Sequence, residues 1–221
     1  MKRLVSITTL SLALSLPAVA GAAPNDLTRA LRGDYAFSGD GACLVSPLPG
    51  FNINFRTSTG GVIRSFSVHG VRRFNGDGTG TVSGRSVLIG HNGPPANPSG
   101  TNLGPYLADN FSANFTYTVA SDQTIHIENG PLTHTRIEGP NVGSTNVITG
   151  IKIEGHVSQD FKTIVVATPN SVLETEYNTL ADALSGQNAA EYRHCHRSRT
   201  LIRISGGGDE DRGRGHTRFP F

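Results

Sequence analysis

The stretch EYRHCHRSR at 191–199 gathers two histidines, a cysteine and three arginines within nine residues. On a strand, alternation sends His194 and His196 to one face and Arg193, Cys195, Arg197 and Arg199 to the other. A His-x-His pair offers two nitrogen ligands to a divalent metal, and His69, His126, His134 or His156 is the candidate third. Metal barrels that use this pair follow it with a glutamate, whereas Arg197, Ser198 and Arg199 follow here. Two exposed or hydrogen-bonded histidines are therefore the plainer reading. If the arginine face points inward, it forms an anion pocket for a carboxylate or phosphate. If it points to water, it is a solvated stripe.

The cysteine has a simpler use. The chain holds two cysteines, Cys43 and Cys195, and it opens with the pattern of an export signal. Lys2 and Arg3 form a positive start, Leu4 to Val19 form an apolar run, and Ala18-Val19-Ala20 and Ala20-Gly21-Ala22 are small-residue cleavage sites. Residues 1–23 are read as a signal peptide, which places the mature protein in the periplasm or outside the cell. There two cysteines make a disulfide, Cys43–Cys195. By alternation Cys43 shares a face with Tyr35 and Phe37, which should be interior, while Cys195 shares one with arginines, which should be exterior. A bulge at Gly39 or Gly41, or a disulfide at a rim, is expected to reconcile the two.

Without Lys2 and Arg3 the chain carries 17 basic and 17 acidic residues, so its charge gives no attraction to nucleic acid. No later apolar stretch reaches the length of a membrane-spanning helix. No Gly-x-Ser-x-Gly elbow, Cys-x-x-Cys or metalloprotease helix motif appears. The glycines at 76, 78, 80 and 84 are followed by a strand, where a dinucleotide-binding loop needs a helix. No cofactor is implied.

The elements that must position these residues are strands. The alternation predicts them over 33–38, 62–74, 80–89, 110–119, 123–128, 131–138, 146–157, 162–168, 171–177 and 190–204. Asn75-Gly76-Asp77-Gly78 is a hairpin signal, because Gly and Asn tolerate the positive φ that tight turns require. A bulge is expected at Gly70, where the alternation slips, and a long loop over 90–109, which is dense in turn formers. One helical turn is expected within 179–189, and the charged, glycine-rich tail 206–221 reads as disordered. Eight to ten short strands without helical period indicate an all-β domain over 33–205, a closed antiparallel β-barrel.

The segments GDYAFSGDGAC, FNGDGTGTVSG, FTYTV with its following Asp and Ile, and CHRSRTLIRI together resemble a group of exported bacterial proteins with calycin or allene-oxide-cyclase-type barrels. The resemblance spans residues 33–204 and implies a fold. The chain has no tryptophan, so the Gly-x-Trp signature of lipocalins is absent, and nothing maps onto the catalytic residues of plant allene oxide cyclases. No enzyme activity follows from it.

These readings point to an exported binding protein for a small, largely apolar ligand, with Tyr35, Phe37, Phe111, Phe115, Tyr117 and Tyr192 as candidate lining. An ordinary filled core is the plainer role for those aromatics. The alternatives are a metal-dependent enzyme centred on His194 and His196, and a structural or interaction protein of the cell envelope.

Overall fold

A computed structural model describes residues 26–54, 56–57, 60–92, 103–169 and 172–205. The segment expected to be a signal, the tail from 206 and the middle of the 90–109 stretch lie outside the described residues. A short helix, α1 (Asp26–Ala30), precedes four long strands, β1 (Arg32–Pro47), β2 (Val62–Asn75), β3 (Thr79–Asn92) and β4 (Leu103–Val119). Six shorter strands follow: β5 (Thr124–Asn129), β6 (Leu132–Glu138), β7 (Thr145–Thr149), β8 (Lys152–Val157), β9 (Thr163–Ala167) and β10 (Leu173–Tyr177). Helix α2 (Leu180–Ser185) leads into the last long strand, β11 (Ala189–Ser205).

All eleven strands form one antiparallel sheet in the order β1-β2-β3-β4-β5-β8-β9-β11-β10-β7-β6. Two further pairings, β1–β11 and β4–β6, turn it into a ring of eight strands. The ring runs from β4 to β11 by two routes, through β5, β8 and β9 at one end and through β6, β7 and β10 at the other. The short strands are thus three long segments, each interrupted at the same level. The breaks fall at Gly130-Pro131, at Gly150 with φ of 82°, and between Ala167 and Leu173. The sequence predicts 146–157 as one strand. Gly150 divides it, because its positive φ turns the chain out of the extended region.

The β2–β3 hairpin turns at the expected residues. Gly76 and Gly78 take φ of 82° and 86°, and the Asp77 carboxylate accepts from the Thr79 backbone N–H at 2.9 Å. The expected bulge at Gly70 is absent: the pairing of β2 with both neighbours runs one-for-one through Gly70. The interior face of β2 is Val68, Gly70, Arg72 and Phe74, with Arg72 and Phe74 each 1% exposed. Val71 points outward. A buried arginine had the look of a surface residue and mimicked a slip in the alternation. The expected loop 90–109 is also shorter, since β3 continues to Asn92 and β4 begins at Leu103.

The end of the ring that holds β5, β8 and β9 is filled. Tyr35, Phe74, Phe115 and Tyr117 pack there with Val119, Ile125, Ile127, Ile153, Ile164 and Leu201. Phe74 makes edge-to-face contacts with Tyr35, Phe115 and Tyr117 at centroid distances of 5.2, 5.2 and 4.9 Å. Leu31, fully buried just after α1, closes this end. The Tyr117 hydroxyl ties the cap down, donating to the Leu31 carbonyl at 2.7 Å and accepting from the Gly76 N–H at 3.0 Å. Tyr35 donates to the Phe161 carbonyl at 2.5 Å, and burial pushes its pKa up to about 12. Both phenols are thereby buried without an unmet proton.

Candidate functional site: a charged cavity inside the ring

The inward face of β11 carries Arg193, Cys195, Arg197 and Arg199, all buried. Cys43 faces Cys195 directly across the β1–β11 seam, and the two form the disulfide. The register conflict disappears without the expected bulge or a rim position, because the arginines themselves are interior. Pairing from Tyr35–Arg203 to Pro47–Glu191 is unbroken, and the one shift lies between Asp34 and Tyr35. Gly39 and Gly41 have a different purpose. They pair with Arg199 and Arg197, and a Cβ on Gly39 would sit 2.7 Å from Arg199 Cγ. On Gly41 it would sit 3.0 Å from Arg197 Cβ. Nearer still are the Ser198 carbonyl at Gly39 and the Phe66 ring at Gly41, so the glycines leave room for the facing strand, for Phe66 and for two interior arginine stems.

A carboxylate from the neighbouring strand organises two of these cations. Glu174 on β10 is fully buried and accepts from Arg193 at 3.0 Å and from both terminal nitrogens of Arg197. Burial alone would raise its pKa, but Arg197 and Arg193 outweigh it, so the carboxyl is held below its ordinary value. Glu176 extends the network, accepting from Arg193 at 3.1 Å and from the Asn146 amide. Glu191 accepts a two-pronged bond from Arg64. Burial and the adjacent Glu176 push the Glu191 carboxyl up to about 7.

Across the interior, Asp109 on β4 accepts from Arg136 Nε at 2.5 Å and lies 3.7 Å from His134 Nδ1. Burial would raise the Asp109 pKa, but His134 and Arg136 together lower it. Arg72 differs from all of these. It is 1% exposed, donates to the Asn129 side-chain oxygen at 3.2 Å, and lies 4.3 Å over the Phe115 ring. Arg199, 8% exposed, sits 5.6 Å from the Phe37 ring centroid. Neither has a carboxylate partner among the described residues. Burial, followed by the repulsion of neighbouring arginines, lowers the pKa of both, Arg199 to about 9.

Between these groups lies a cavity of about 130 Å³. Arg64, Arg72, Arg193, Arg197 and Arg199 line it, with Asp109, His134, Arg136, Asn146 and Glu176. Phe66, Val68, Val82, Leu132, Ile148 and Ile151 supply apolar wall. The arrangement can hold a small molecule and hydrogen-bond it from several guanidinium groups, where a low local dielectric strengthens each bond.

The structure disperses the rest of the candidate lining. Of the six aromatics, Phe111 borders the cavity, while Tyr35, Phe37, Phe115 and Tyr117 belong to the packed core. Tyr192 is corrected from interior to outer face: its parity is that of His194 and His196, and it packs half-buried beside Gly50. His194 lies against Phe51 at 4.6 Å between ring centroids, and His196 is exposed. His69, His126 and His156 are exposed on other strands, and His134 faces the interior. Among the described residues no three His, Cys, Asp or Glu side chains come together to hold a metal ion.

Sequence reasoning missed Glu174, Glu176, Arg72, Asp109 and Asn129. The signal for the first two is the LETEY alternation, in step with the arginines of β11 across the pairing Glu174–Arg193. No protein-family model matches this chain, and no curated protein matches it either.

Proposed function

We propose that the chain is an exported binding protein, a closed antiparallel barrel of the calycin type that holds one small organic molecule in its interior. The observation that carries this reading is the 130 Å³ cavity, which residues of β2, β3, β4, β5, β6, β7, β10 and β11 surround. A cavity of about 150 Å³ accommodates a benzene-sized molecule, so the occupant is a compact one. The apolar wall favours a mostly apolar body. Two features support the barrel and its compartment. The ring of strands meets itself along the β1–β11 seam, which also carries the disulfide. Disulfides persist in oxidising compartments, in keeping with the signal-like first 23 residues. The outward side chains of β4 at Ser112, Asn114, Thr116 and Thr118 are polar, as on a water-facing sheet. Among the described residues no helix is long and apolar enough to cross a membrane.

Native mass spectrometry of the protein purified from its own host tests the reading. A retained small molecule at one per chain is expected. A bare chain that takes up none from a host metabolite extract would reject it. The filled half of the ring favours a second reading, an envelope protein whose outer surface binds a partner. That reading is the one left by a bare chain.

A further inference from the structure

Every buried or half-buried carboxylate at the charged end is already engaged, and the arginines outnumber them. Among the described residues four carboxylates, Asp109, Glu174, Glu176 and Glu191, meet Arg64, Arg136, Arg193 and Arg197 in hydrogen-bonded pairs. Arg72 and Arg199 are left over. An arginine keeps its proton under any physiological condition, so it does not escape burial by becoming neutral. An isolated buried charge carries a large desolvation cost, and a ring face at 4–6 Å returns only a fraction of it. The two guanidiniums border the cavity from its packed floor, one above Phe115 and the other beside Phe37. Arg72 Nη2 and Arg199 Nε are buried donors without an acceptor, as are the Nε groups of the carboxylate-paired Arg193 and Arg197. Buried donors of this kind call for a partner.

We infer that the cavity selects a small monocarboxylic acid, its carboxylate seated between Arg72 and Arg199 and its apolar body against Phe66, Val68, Val82 and Phe111. The inference rests on the binding-protein reading and deepens it by naming the head group. Both oxygens of a carboxylate accept from guanidinium donors, and its charge offsets a cationic excess that Glu174, bonded to Arg193 and Arg197, relieves only in part for Arg199. A neutral ligand of the same shape would leave both arginines uncompensated. The unliganded protein therefore keeps a destabilising pair of charges whose only evident role is toward an anion.

The test is calorimetric titration and thermal melting of the full mature chain in low-salt buffer free of carboxylates and phosphate. The probes are benzoate against benzyl alcohol and butyrate against butan-1-ol. At least one acid should bind tenfold or more tightly than its alcohol and raise the Tm, and Arg199→Met and Arg72→Met should each abolish that preference. The same variants should melt at or above the wild-type temperature without ligand, which a merely structural arginine would not allow. Equal affinity for acid and alcohol overturns the anion assignment and leaves the binding-protein reading intact. Silence from all four probes also overturns it, and retained ligand in the mass spectrum then decides the broader reading separately. The acid–alcohol comparison stands on wild-type protein even if a variant fails to fold.

Discussion

Phe74 and Arg193 both point inward from the same sheet, yet their surroundings share little. Around Phe74 three aromatic rings meet edge to face and aliphatic side chains fill the remaining space. Around Arg193 are two carboxylates, a second arginine, a disulfide and a cavity. One end of the ring is held by packing, the other by a charge network that packs loosely enough to leave room. A filled interior needs no partner to be stable. The charged one leaves Arg72 and Arg199 without a carboxylate partner among the described residues, and this asymmetry separates the packed half from the cavity.

The contrast can be broken at its strongest point first. Glu174→Gln leaves Arg193 and Arg197 without their shared carboxylate, and should cost about 3–5 kcal/mol in urea unfolding. A loss under about 1 kcal/mol would mean that the network adds little. In the packed half, Phe74→Ala should cost a similar ~3–5 kcal/mol, whereas Leu88→Ala, at a β3 residue that also lines the cavity, should cost less than half as much. Equal losses would show that the cavity side is packed as tightly as the other.

A pH series sharpens the comparison further. The Glu191 carboxyl titrates at about 7 in the folded chain against an ordinary 4.5. Between those values the unfolded chain has released a proton that the folded one keeps, so stability falls as pH rises through that window and levels off above it. Glu191→Gln removes this penalty. Relative to wild type it should gain on the order of 1–3 kcal/mol between pH 5 and pH 8, measured by denaturant midpoints. A constant difference would place Glu191 in a wetter setting than its burial indicates. The smallest effect is expected outside the ring altogether: His196→Ala should change stability by less than about 0.5 kcal/mol. Its metal content by elemental analysis should match wild type.

Much of the scaffold was legible because half-buried strands announce themselves. Tyr35, Phe37, Phe115 and Tyr117 sit inside as their alternation requires, and the Asn75–Gly78 turn forms where its glycines demand. The charged half was not legible for the same reason. Alternation rules equate polar with outward, and Arg72, Glu174, Asp109 and the β11 arginines invert that rule. The inversion was visible only as misfits, namely a slip at Gly70 and two cysteines on apparently opposite faces. Pairing partners were needed to resolve both, since Gly39 and Gly41 explain themselves only opposite Arg199 and Arg197. The break at Gly130 falls between two expected strands, but that at Gly150 was hidden, because a strand that changes neighbours midway keeps its apolar content.

The seam between β1 and β11 has a mechanical consequence. The pairing Asp34–Ser205 brings the two ends of the ring side by side, and Cys43–Cys195 fastens them a few residues further in. A force drawn through the two ends would peel residues 32–42 from 196–205 and then stop at the covalent link. About twenty residues would extend, a reach of roughly 70 Å, and everything between the cysteines would carry no load. Charged cavity and packed core alike lie mostly within that shielded span, so tension on the ends would reach the cavity through Tyr35, which pairs with Arg72, through Phe37 beside Arg199, and through Arg197 and Arg199.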